Sequence, residues 1–288
     1  MSLRVLIAAA TLLCASGASL AQSDLPALQT AAEAGDASAA YEYGYALTFP
    51  ADGAPDYEMG RSWLDQAAAA DHAGALHVLG LIYRDGIGVD SDVSQARASL
   101  ERAQALGAGA ASLDLAHLYL FDIPGEVSRG TALLDGLRND PEIGPDAGLM
   151  LAEYLFFDAE DASGEVRAIE LANAAIEQRP DLFQAYYLAG IGAMEGIGRD
   201  AEPETARTLW SRGARGGDTL SMLALADALR DGLGGPVDAI EALALYLAAD
   251  ALGDPDAYDA FVELDAVLNA EERAEAERRS EDFLSGLS

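Results

Sequence analysis

Residues Ala73–Gly107 read AGALHVLGLIYRDGIGVDSDVSQARASLERAQALG, and this stretch decides the fold. Ala75, Leu79, Gly80 and Tyr83 recur at helical spacing and so share one face. Asp85-Gly86-Ile87-Gly88 then interrupts the pattern. A second helical face follows in Ala96, Leu100 and Ala103, and it ends at Gly107. The unit therefore predicts a helix hairpin, with small residues where two helices cross closely and one bulky residue per helix filling the space beside them. Gly86 has a backbone reason to be glycine. A helix often ends on a residue with positive φ, which costs a residue bearing Cβ about 1 kcal/mol or more.

Outward from this unit the pattern repeats. Its small residue returns as Ala39, Ala75, Ala111, Ala147, Ala185, Ser221 and Ala257, in steps of 36, 36, 36, 36, 38 and 36. Four residues on stand Tyr43, Leu79, Leu115, Leu151, Ala189, Leu225 and Phe261, bulky at every repeat but Ala189. The bulky second-helix position recurs as Leu64, Leu100, Leu134, Trp210 and Tyr246, with Ala172 between. Self-similarity at this period marks a solenoid, in which each unit buries its apolar face against its neighbours. Gly196 and Gly232, in EGIGRD and DGLGGP, match Gly86.

The ends of the array fit the same plan. Leu28 and Ala31 lie 36 residues before Leu64 and Ala67, so Leu25 to Gly35 reads as a lone second helix covering the start. Asn269-Ala270-Glu271-Glu272 has the form of a capping box opening a polar terminal helix. Residues 22–268 are thus expected to form the repeat array, about six hairpins and an N-terminal capping helix, and residues 269–288 a C-terminal cap. Ahead of them, Arg4, the apolar run Val5 to Leu13 and the small-x-small site Ser19-Leu20-Ala21 predict a signal peptide over residues 1–21, cleaved before Gln22. That apolar run is too short to span a bilayer. The expected location is the periplasm or the medium, and the single cysteine, Cys14, leaves with the signal.

Charge narrows the class of partner. The chain carries 49 acidic residues against 17 Arg and no Lys, a net charge of −32, which becomes −33 when Arg4 is removed. Such a field repels nucleic acids and anionic membranes, whose binding relies on cationic side chains. It suits either a basic partner or a solvated surface that keeps an exported protein soluble.

The stretches LGLIYRDGIGV, AGIGAMEGIGRD, AEAGDASAA and RGGDTLSML resemble the Sel1-like repeat family, relatives of the tetratricopeptide repeats. The resemblance covers about Leu25 to Leu268. Near LYLFDIPGE and LFFDAEDASGE the Gly-x-Gly turn is replaced, which leaves repeat count and curvature open there. What the resemblance implies is an all-α right-handed superhelix whose concave face holds other proteins rather than catalysing. Exported proteins resembling the family include inhibitors of envelope sensor kinases that govern exopolysaccharide production, and scaffolds of exopolysaccharide export machines. Others have been described as acting on β-lactams.

Carried over position by position, the resemblance implies two rows lining that face. One is Tyr41, His77, Leu113, Leu149, Tyr187 and Leu223; the other is Tyr45, Leu81, His117, Glu153, Ile191 and Asp227. The first row is more apolar than a solvated surface requires, so it is either a partner groove or packing buried between adjacent first helices. No catalytic, cofactor or metal constellation is expected. His72, His77 and His117 lack ligand spacing and a cysteine to join them, and no G-x-S-x-G elbow occurs. Gly190-Ile191-Gly192 reads as repeat glycines inside a helix. Asp158, Glu160 and Asp161 lack the alternation of a calcium loop, which leaves an acidic cation-sequestering envelope protein as the bland alternative to an adaptor.

Overall fold

The computed structural model describes residues 25–158 and 162–287; the expected signal peptide, Glu160 and Asp161 lie outside the described residues. Among the described residues the chain is helical with no strand. First helices of the hairpins are α2 (Ala37–Thr48), α4 (Ala73–Asp85), α6 (Gly109–His117), α8 (Gly144–Phe157), α10 (Ala185–Glu195), α12 (Thr219–Asp231) and α14 (Ala257–Asp265). Second helices are α3 (Tyr57–Ala69), α5 (Val93–Ala105), α7 (Val127–Leu137), α9 (Ala162–Gln178), α11 (Pro203–Arg215), α13 (Ala239–Ala251) and α15 (Ala270–Ser285). The lone helix α1 (Leu25–Glu33) packs on α2.

Acidic N-caps start many of these helices, because a carboxylate satisfies the free N–H groups of the first turn. Asp36 accepts from the amides of Ser38 and Ala39 at 2.9 and 3.1 Å. Asp56, Asp92, Asp218 and Asp238 do the same for α3, α5, α12 and α13. Part of the chain's acidity is therefore structural. The helices stop as the turn glycines require: Gly86, Gly196 and Gly232 all adopt the left-handed conformation, with φ of 70°, 70° and 72°.

The chain divides into two compact units, up to Gly136 and from Leu137 onward. In the first unit the core runs through Leu64, Leu79, Leu100 and Leu115, none more than 3% exposed. Each such side chain contributes about 1.5–3 kcal/mol by leaving water. Gly44 and Gly60 let α2 and α3 touch backbone to backbone, since a Cβ on Gly44 would stand 2.8 Å from the Gly60 carbonyl. Where LYLFDIPGE replaces the glycine turn, α6 passes into a π-helical turn over Leu118–Asp122. It buries Leu118, Tyr119 and Leu120.

In the second unit, Leu151, Leu188, Trp210, Met222, Leu243 and Tyr246 are buried. Gly190 lies within α10, as expected of a repeat glycine. The terminal helix α15 lies against α13, and its N-terminus carries the capping box in full: Asn269 accepts from Glu272 N–H, and Glu272 accepts from Asn269 N–H. Ala276 is fully buried, with Phe283, Leu284 and Leu287 packed on the same cluster.

Candidate functional site

The first helices carry the side chains expected to line the binding face, and the structure sorts them into three groups. His77, Leu113 and Leu149 are buried, at 4%, 6% and 7% exposure, so they are packing and not groove lining. For His77 and Leu113 the reason is that α4 and α6 contact each other directly. Tyr41, Tyr45, Leu81, His117, Tyr187, Ile191 and Leu223 are half-buried. Glu153 and Asp227 are exposed.

His77 is occupied by a neighbour. Its Nε2 lies 2.6 Å from Asp114 Oδ2, and Arg84 donates to Asp114 Oδ1 at 3.0 Å and to both Asp85 oxygens. Burial alone would raise the Asp114 pKa, but the His77 hydrogen bond and the charges of His77 and Arg84 outweigh it and hold the carboxyl below its ordinary range. This trio staples α4 to α6. The sequence signal for it was an acid lying between the buried Leu113 and Leu115, one repeat and one residue after His77.

In the first unit the half-buried aromatic residues form a ladder along α2. Tyr41 and Tyr45 have ring centroids 6.2 Å apart, and Tyr45 and Phe49 5.1 Å. Tyr41 also stacks on His72 at 4.6 Å. His72 caps α4 by accepting from Ala75 N–H at Nδ1, 3.2 Å away. Desolvation lowers its pKa, against the opposing pull of Glu42 and Asp36. His117 contacts Phe121 at 4.8 Å and lies 3.6 Å from Asp122, both set by the π-helical turn. On the second-helix side, an open cleft of about 530 Å³ is lined by Tyr119, Glu101, Arg129 and Leu133 among others.

In the second unit, Phe157 stacks on Tyr187 with centroids 6.5 Å apart and planes within 14°. Glu153 stands one turn before Phe157 on α8. Burial and the nearby Asp218 raise its pKa to about 7. The residue as a whole is exposed, and solvent screening works against that rise. Asp227 accepts from Tyr246 O–H at 2.6 Å and pairs with Arg230 at 2.8 Å, so it joins α12 to α13.

The rows read from sequence stopped one turn short. Continuing them by four residues gives Phe49, Phe121 and Phe157 at one repeat position, and these are 39%, 47% and 55% exposed. Aromatic residues so exposed at a recurring position are a surface signal that helix packing does not require. Among the described residues no cluster of His, Cys, Asp and Glu is arranged to hold a metal ion.

No family model and no curated protein matches the sequence. Solved structures do match in fold. The c5321 protective antigen of uropathogenic Escherichia coli strains, which displays an SLR fold, superposes with a TM-score of 0.76 at 18% identity over 91% of this chain. The chain spans 56% of that protein's length. A Sel1 repeat protein from Oxalobacter formigenes gives 0.63 at 19% identity, covering 86% of this chain and 96% of that one. The all-α repeat architecture is thus the Sel1-like repeat fold.

Proposed function

We propose that this Sel1-like repeat chain is an exported, non-enzymatic adaptor that holds protein partners on the exposed faces of its first helices. The observation that carries the reading is the recurrence of exposed phenylalanine at one repeat position, Phe49, Phe121 and Phe157, each in ring contact with an aromatic residue or histidine of the neighbouring turn or helix. Water-exposed aromatic surface costs free energy until a partner covers it, and aromatic side chains anchor interfaces at small entropic cost. No described helix is long and apolar enough to cross a membrane. Export rests on the signal-like residues 1–21, with the periplasm as destination, and the family resemblance points to envelope sensor kinases or exopolysaccharide export components as partners.

Two variants test the reading: Phe49→Ser with Phe121→Ser and Phe157→Ser, and Tyr41→Ser with Tyr187→Ser. Both are expected to keep the wild-type helical circular dichroism and to lose the partners that the wild-type protein retains from envelope extract. Folded variants that retain those partners in full remove the proposal. N-terminal sequencing of the mature protein checks export, with Gln22 as the expected first residue.

A further inference from the structure

Tyr258 and Val262 on α14 break a rule that the earlier hairpins keep. The repeat position of Val262 holds Gly44, Gly80, Ala116, Ala152, Gly190 and Ala226, and every one is buried. At this position the second helix of a hairpin presses closest: a Cβ on Gly80 would stand 2.6 Å from Leu100 Cγ, and one on Gly190 2.2 Å from Trp210 Nε1. The position of Tyr258 holds Ala40, Leu76, Ser112, Gly148, Tyr186 and Met222, again all buried. On α14, Val262 is 43% and Tyr258 57% exposed.

The reason lies in the course of α15. Arg273 ties its first turn to Asp265 at the end of α14 at 3.3 Å, and the helix then lies against α13, where Arg279 reaches Glu241 at 2.9 Å. The inner side of α14 is filled in the usual way, with Ala257 and Leu264 buried and Phe261 packed on the same cluster. Its other side leaves the stripe Tyr258, Val262 and Ala266, at i, i+4 and i+8, open to water. Positions that pack against a helix in the earlier hairpins are thus an exposed apolar face here.

Charge identifies the occupant. Asp259 and Glu263 stand one residue after Tyr258 and Val262 and form an exposed acidic row beside the stripe, with exposed Asp256 before them. Two copies meeting through α14 would bring these acidic rows together, on a chain of net charge −32. A basic helix meets the row favourably. We infer that α14 docks an amphipathic helix of a partner protein, its apolar side on Tyr258 and Val262 and its Lys or Arg flank against Asp259 and Glu263. Val262 in place of glycine keeps the two backbones from the close contact made within the hairpins, so side chains hold the docked helix. This surface is separate from the phenylalanine row and goes beyond the adaptor reading, as a second docking site with its own chemistry.

The test adds acetyl-LKKLLKLLKKLLKL-NH₂, a basic amphipathic helix, or its counterpart with Glu at each Lys, to the ¹⁵N-labelled full chain. The lysine peptide is expected to move the amides of α14 and to bind at least about tenfold tighter than the glutamate peptide. Tyr258→Gln with Val262→Gln, at exposed positions where Gln suits a helix, should weaken the lysine peptide at least about tenfold. Glu170→Gln, at an exposed acid of α9, should not. Asp259→Arg with Glu263→Arg should turn the preference toward the glutamate peptide, a gain that unfolding cannot produce. Shifts spread over the acidic surface and indifferent to Tyr258 and Val262 overturn the inference, as do equal affinities of the two peptides at α14; either result leaves the phenylalanine row to its own test. A concentration-dependent dimer in sedimentation equilibrium, lost on Tyr258→Gln with Val262→Gln, assigns the stripe to a second copy and likewise overturns it.

Discussion

The indole of Trp210 on α11 donates from Nε1 to the backbone carbonyl of Tyr187 on α10 at 3.1 Å, and it does so through the space a side chain at Gly190 would fill. A Cβ at residue 190 would stand 2.2 Å from Nε1. Neither the indole nor the helix it leans on has room to yield, since Trp210 is 5% exposed and Gly190 is itself buried within α10. Gly190→Ala is therefore expected to destabilise the second unit by about 1–3 kcal/mol, although alanine is the better helix former. The midpoint of urea denaturation should fall with the slope unchanged, and an unchanged midpoint would refute the packing argument.

Two turn positions should respond in opposite directions. Gly86 is left-handed at φ 70°, and a Cβ there would lie 3.1 Å from the Val89 carbonyl and 3.3 Å from Ser91 N, so Gly86→Val is expected to cost more than about 1 kcal/mol. Asp71 has the same backbone problem in reverse. Among the described residues it is the non-glycine with positive φ, 59°, at the repeat position where Gly35 and Gly107 have φ of 94° and 87°. Asp71→Gly relieves that strain and gives up an exposed ion pair to Arg102 at 2.5 Å, worth about 0.2–1 kcal/mol. Thermal melting should show a small gain in Tm for Asp71→Gly and a loss for Gly86→Val.

The cap made by His72 depends on pH. Nδ1 accepts the Ala75 amide hydrogen only while it is unprotonated, and the folded chain lowers the pKa of His72 chiefly by desolvation. The unfolded chain thus binds the proton more readily, so this contribution is whole above the unfolded value near 6.5 and fades as pH falls through the lower folded value. His72→Asn keeps a side-chain acceptor at the cap and cannot titrate there. Its stability should be flatter than wild type on acidification, by urea titrations at a series of pH values. Equal slopes for the two proteins would exclude His72 as the source.

The hairpins were legible because they are written in a period. Residues that must pack, Ala75 with Leu79 and Leu100, recur at fixed spacing whatever lies between, and a left-handed helix end demands glycine at Gly86, Gly196 and Gly232 alike. Asn269 and Glu272 announced their capping box by type and spacing alone. The expected lining rows were less legible because spacing fixes which side of a helix a residue occupies and says nothing of how closely the next helix approaches. His77 and Leu113 share the repeat position of Tyr41, yet they are buried where α4 meets α6, and Tyr41 keeps part of its ring open beside His72. Phe157 escaped notice for the converse reason. It stands one turn beyond the expected rows, at a helix end where the glycine turn is missing.

The contact between α4 and α6 leads to the last prediction. Asp114 is the common acceptor of His77 and Arg84, whose side chains are 4% and 7% exposed, while its own is 13% exposed. Replacing it by Asn leaves Arg84 with Asp85 alone and strips the buried guanidinium of half its compensation. Breaking a buried pair by removing one charge costs about 3 kcal/mol, and Asp114→Asn should weaken the first unit by about that much at neutral pH. The effect carries a signature that simple loss of packing lacks. Because the folded chain holds the Asp114 pKa below its ordinary value, its contribution is complete above the unfolded value and disappears as pH falls through the folded one. Wild type and Asp114→Asn should therefore converge in stability on acidification, followed by urea denaturation from neutral pH downward. A gap that stays constant across that range would mean the residue acts by shape and not by charge.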